Sequence, residues 1–143
     1  RDAQVLTIWE GTTNVMALDV LRVLRGTEGA FTAYQTALRG LAAQISAQEL
    51  LSVRQAVLSA SQALNEGLPG LLRGGEHGQS GARSFSIALA RTISAALLGR
   101  HADWCLRAQD DGRPAAAARR FVRRGLVNLF DSPDPDADLL TEG

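Results

Sequence analysis

Glu10 stands between Trp9 and Gly11, at a break between two apolar helical patterns. A carboxylate placed there has an apolar wall on one side and open backbone approach on the other. That combination suits a base that takes a proton from carbon. Thr12 and Thr13 follow at once, with the residue type that caps a helix N-terminus. The same position suits contact with a phosphate.

The remaining reactive side chains form weaker constellations. Glu76 and His77 share a glycine-rich stretch, but a metal site needs more ligands and none is near in sequence, so no metal is expected. His101, Trp104 and Cys105 fall on consecutive turns of one helical pattern, which reads as core packing. Cys105 is the single cysteine and has no evident partner as a nucleophile. Arg113, Arg119, Arg120, Arg123 and Arg124 cluster near the C-terminus. No aromatic platform is interleaved with them and an acidic tail follows, so a solvated or partner-docking face is favoured over nucleic-acid binding.

Helices must position these groups. Val5, Leu6, Ile8 and Trp9 form the apolar side of a short first piece, which Gly11 ends. A second helix is predicted over residues 13–25, apolar on most sides and therefore buried, with Asp19, Arg22 and Arg25 facing out. Phe31, Tyr34, Leu38, Leu41 and Ile45 make a third stripe. Ser46-Ala47-Gln48-Glu49 reads as a capping box, opening a helix with Leu50, Val53, Val57, Ala60 and Leu64 on one face. Residues 67–81 hold six glycines and Pro69, and read as a long mobile loop. A long helix is predicted over 82–108, with Phe85, Leu89, Thr92 and Ala96 inward and Ile93 and Leu97 widening the stripe. Asp110-Asp111-Gly112 ends it. Pro114 suits the first turn of a last helix, whose inner face is Ala118, Phe121, Val122, Leu126 and Leu129. The tail from Asp131, with five acids in thirteen residues, reads as disordered. The fold class is all-α, an antiparallel bundle of about five helices.

Composition sets outer limits. The chain has 143 residues, 45% of them apolar and 21% charged, enough for one domain with a real core. The formal net charge is zero, so no global field favours nucleic acid or membrane. All fifteen basic residues are arginine. One cysteine excludes an internal disulfide and fits a cytoplasmic protein. No apolar run approaches a membrane span.

The segment Arg1-Asp2-Ala3, then Ile8-Trp9, then Glu10-Gly11-Thr12 resembles the C-terminal catalytic signature of the acyl-CoA dehydrogenases. Asn14-Val15 and the apolar helix after it also fit. With Leu18-Asp19-Val20-Leu21-Arg22, the run is most similar to large members of the family, a branch that includes the alkylation-response flavoprotein. The resemblance covers about the first 25 residues. It implies that residues 1–26 end a catalytic domain, that 27–130 form an extra helical domain, and that 131–143 are an acidic tail.

By that resemblance Glu10 is the catalytic base that removes the α-hydrogen of an acyl-CoA thioester, and hydride leaves the β-carbon to FAD. Gly11, Thr12 and Asn14 match cofactor-binding positions. Trp9 replaces the commoner tyrosine, and Arg1 with Asp2 suits a structural ion pair. Burial beside Trp9 and a flavin is expected to raise the Glu10 pKa and make it a stronger base once ionised. The implied partners are acyl-CoA, an electron-transfer flavoprotein or other acceptor, and further copies of the chain in a homo-oligomer. The chain alone is expected to be an inactive C-terminal part of the enzyme. The alternative reading is a non-enzymatic helical domain, for oligomerisation or DNA binding, with a vestigial motif. A ligand-binding helical module has no polar cluster in the sequence to support it.

Overall fold

The computed structural model describes residues 10–73 and 75–127, with side chains over 15–73 and 81–127. Among the described residues it holds five α-helices and one 3-10 turn. They are α1 (Glu10–Gly26), α2 (Ala30–Ala43), the 3-10 turn (Gln48–Leu50), α3 (Leu51–Leu72), α4 (Gly75–Gln109) and α5 (Arg113–Arg123). The all-α bundle expected from the apolar periodicity is the observed fold. The predicted piece over residues 1–9, Leu129 and the acidic tail lie outside the described residues.

The bundle is organised around α4. Its 35 residues make it the longest element, and it packs against every other helix. A helix in that position needs small residues on several sides, because bulk would hold its neighbours apart. Ala82, Ala88, Ala95, Ala96 and Ala102 supply them, all buried. The core runs along α4 as three layers. Leu21, Leu64, Leu71 and Phe85 centre the first, Leu38, Val57 and Leu126 the second, and Ile45, Leu50 and Val53 the third.

Gly99 shows how tight the third layer is. A Cβ there would lie 2.6 Å from Ile45 Cδ1 and 3.0 Å from Val53 Cγ1. Both neighbours are fully buried and have nowhere to turn. Alanine in a helix interior gains about 1 kcal/mol over glycine, but overpacking a closed core costs about 1–3 kcal/mol. The expected result for Gly99→Ala is therefore a net loss of about 1 kcal/mol. A chemical-denaturation midpoint above that of the native chain would contradict it.

Three expectations are corrected. Gly11 does not break the chain: Glu10 to Gly26 is one helix, so Thr12 and Thr13 lie inside it rather than at its cap. The long loop at 67–81 is absent, because α3 continues to Leu72 through Pro69 and α4 begins at Gly75. Proline removes one helical hydrogen bond and leaves the Asn65 carbonyl without its amide. Asn65 is exposed and Leu71 is buried, so water satisfies the carbonyl while the core holds the last turn. The Ser46–Glu49 box also does not form: Ala47 occupies the cap position, and no side chain of the segment bonds there.

Asp103, from the last third of α4, takes over that cap. Its Oδ1 accepts the Ser46 amide at 2.7 Å, the Ala47 amide at 2.7 Å and the Ser46 hydroxyl at 3.2 Å. Its Oδ2 faces the Arg107 guanidinium in an ion pair. Burial pushes the Asp103 carboxyl up. The Ala47 and Ser46 amides, the Arg107 charge and the Ser46 hydroxyl together outweigh that and hold it below its ordinary range.

Candidate functional site

Two places in the molecule carry candidate chemistry. The first is the start of α1. Glu10, Gly11, Thr12 and Asn14 fall within the first two described turns of this helix. Glu10 and Asn14 are four residues apart and so share a face.

Downstream, α1 presents two unlike sides. Ala17 and Leu21 are buried against α3 and α4. Val15, Met16, Leu18 and Val23 are exposed, Met16 at 63%. The expected buried helix is thus covered on one side. Beside the bare side lies an apolar groove of about 430 Å³, bordered by Met16, Val20, Val23, Phe31, Tyr34 and Leu89. Tyr34 closes the groove floor by donating from its hydroxyl to the Leu89 carbonyl at 2.7 Å. Burial pushes the Tyr34 phenol up to about 12, against a smaller opposing effect of Thr92, so it stays a neutral donor.

The second place is a recess of about 620 Å³ where the C-terminal end of α2 meets the last third of α4. Arg100, His101, Trp104 and Arg107 line it from α4, with Ala43 and Gln44 opposite. His101 and Trp104 are exposed, which corrects their reading as core residues; of that trio only Cys105 is buried. The two rings stack at 6.1 Å between centroids with 24° between planes. Cys105 does have a neighbour that the sequence did not reveal, His101 Nε2 at 3.5 Å from its Sγ. The thiol is nevertheless sealed inside. Spacing offered one signal for this recess, since Arg100, Trp104 and Arg107 are four and three residues apart and share one helical face.

The C-terminal arginines divide by role. Arg113 pairs with Asp111 at 2.9 Å, and Arg119 donates to the Glu49 carbonyl at 3.2 Å. The Arg113 hydrogen bonds hold the Asp111 carboxyl below its usual range. Arg120, Arg123 and Arg124 are exposed. The end of α5 is itself held by Arg91, which donates to the Gly125 carbonyl at 2.7 Å and lies 5.3 Å from the Phe121 ring centre. Gly125 has φ 78°, the left-handed conformation that glycine adopts past a helix end. Among the described residues no group of three His, Cys, Asp or Glu side chains could hold a metal ion. No described helix is long and apolar enough to cross a membrane.

Among the described residues the chain is thus an all-α helical bundle with an internally capped link and a bare apolar helix face. A family model described as acyl-CoA dehydrogenase 11 C-terminal domain-like matches residues 29–136. The chain belongs to this family. Acyl-CoA dehydrogenase family member 11 of Caenorhabditis elegans is 39% identical over 108 residues, which cover 71% of this chain and 18% of that protein. The chain thus spans about a fifth of the length of that relative. No solved structure matches it significantly. The family match begins after the Arg1–Asn14 motif.

Proposed function

We propose that this chain is the C-terminal part of a flavin-dependent acyl-CoA dehydrogenase, with Glu10 as the base of α,β-dehydrogenation. What supports this reading is the Glu10-Gly11-Thr12 motif in the first described turns of α1, joined to a helical domain of the acyl-CoA dehydrogenase 11 type. The Glu10 carboxylate takes the α-proton of the thioester. The β-hydrogen leaves as hydride, the Cα–Cβ bond becomes double, and the acyl chain loses two electrons. FAD, when bound, supplies the hydride acceptor.

The residues present suit one edge of such a cofactor. Gly11 has no side chain to obstruct close approach. Thr12 and Asn14 are the contacts on this chain. Val15, Met16, Leu18 and Val23 are the surface on which the rest of the dehydrogenase, including the flavin-binding part, packs. A second copy in a homo-oligomer extends the same interface. The enzyme acts in the cytoplasm on an acyl-CoA and passes electrons to an electron-transfer flavoprotein or another acceptor.

Cofactor content tests the reading. The longer polypeptide, with the dehydrogenase segments ahead of Arg1, is expected to purify yellow with bound FAD. The 143-residue chain is expected to retain no FAD and to turn over no acyl-CoA. A colourless longer polypeptide that stays colourless with added FAD would overturn the proposal.

A further inference from the structure

The recess between α2 and α4 has a composition that the proposed role of Glu10 does not use. Trp104, in its lining, is 51% exposed, a large apolar surface left in water. Arg100 and Arg107 stand on either side of it along α4, about 10 Å apart by helical rise. Their surroundings differ. Arg107 is paired with Asp103 and also donates from Nε to the Asp103 carbonyl at 3.4 Å. Arg100 is exposed and has no partner among the described residues. Asp103 is buried beneath the recess and already engaged with Ser46, Ala47 and Arg107. Among the described residues no carboxylate lines the recess to compete for an incoming anion.

His101 stiffens the aromatic wall, held between the Cys105 thiol and the Trp104 ring. On the opposite wall α2 ends at Ala43, and the last carbonyls of a helix carry partial negative charge. The Leu41 and Ala42 carbonyls already accept the Gln44 and Ile45 amides, so the Ala43 carbonyl is the one offered to a donor such as an exocyclic amine. The Gln44 side-chain amide beside it both donates and accepts. The α4 side therefore offers a guanidinium and an exposed indole, and the α2 side a carbonyl and a side-chain amide. The volume, about 620 Å³, lies in the range of small-molecule sites.

We propose that this recess binds a nucleoside phosphate. Its base stacks on Trp104 and presents its amino edge to Ala43 and Gln44, and its phosphate pairs with Arg100. Stacking on an indole and a forked contact to phosphate are the two contacts that such ligands use. The ligand is either a free nucleotide or the nucleotide end of a carrier such as coenzyme A. The proposal does not rest on the role of Glu10, and its failure leaves that role untouched.

Trp9→Phe leaves Trp104 as the single indole, so its fluorescence reports the recess directly. Titration with ATP and AMP is expected to quench it saturably, with Kd below about 1 mM. Adenosine and inorganic pyrophosphate, each lacking one of the two contacts, are expected to bind at least about tenfold more weakly. Coenzyme A binding more tightly than ATP assigns the ligand to the carrier, and weaker binding assigns it to a free nucleotide. Arg100→Gln is expected to weaken ATP at least about tenfold while the thermal melt is unchanged, since Arg100 is exposed and unpartnered among the described residues. Three results would overturn the proposal: no saturable quenching by ATP, AMP or coenzyme A, pyrophosphate binding as tightly as ATP, or Arg100→Gln binding like the native chain.

Discussion

Asp103→Ala is expected to lower stability by about 3 kcal/mol, a drop of about 10 °C in melting temperature. The residue is fully buried and holds two amides and a hydroxyl of the segment that joins α2 to the 3-10 turn. Alanine leaves those donors without an acceptor, and each buried one costs about 1–3 kcal/mol. Ser46 is exposed, so water recovers part of the loss. Arg107 loses its partner too, but it is largely in water and contributes little. Asp103→Asn keeps one oxygen and is expected to lose about half as much.

The pH dependence follows from the direction of the Asp103 shift. A carboxyl held below its ordinary range in the folded chain binds its proton more readily when unfolded. Its stabilisation is therefore complete above the ordinary carboxylate range and is lost as pH falls through and below it. The gap between the native chain and Asp103→Asn should be full at neutral pH and close in acid. Thermal melts across that range check it. A gap that is constant from neutral to strongly acidic pH would mean that the charge of Asp103 does not matter.

The cap also shows where a sequence stops being legible. The stripes of α2 and of the Val53–Val57–Ala60–Leu64 face were readable because each depends on neighbours three or four residues away. Asp103 lies 57 residues from Ser46, and nothing local marks it as a cap. Serine followed three residues later by glutamate suggested a local box, and a stronger acceptor from another helix won. Glycines and Pro69 suggested a loop because their local preference opposes a helix. Burial of Leu71 outweighs that preference over the last turn of α3.

Aromatics at helical spacing suggest a core, and Trp104 departs from that pattern because the neighbouring end of α2 stops short of covering it. The candidate site was legible in another way. Glu10, Gly11, Thr12 and Asn14 were found as a motif, while their expected separation from the following helix was not found. The continuous α1 puts Glu10 on the same helix as Ala17 and Leu21, which anchor that helix to the bundle. Under the proposed role, such an anchored helix would hold a base in register with its substrate.

Glu10→Gln is the substitution with the largest expected effect on activity. Glutamine has nearly the shape of glutamate and can still hydrogen-bond, but it cannot accept a proton from carbon. Loss of a positioned general base costs about 10²–10⁴-fold in rate. Flavin binding should survive, because the contacts assigned to this chain lie at Gly11, Thr12 and Asn14. The expected signature is thus a protein with native cofactor content and little chemistry.

The most direct measurement is anaerobic flavin bleaching in the longer polypeptide, followed after rapid mixing with an acyl-CoA. The native protein is expected to bleach as the acyl chain is oxidised, and Glu10→Gln with equal FAD content to bleach about a thousandfold more slowly. Bleaching at the native rate in Glu10→Gln would contradict the role given to this carboxylate.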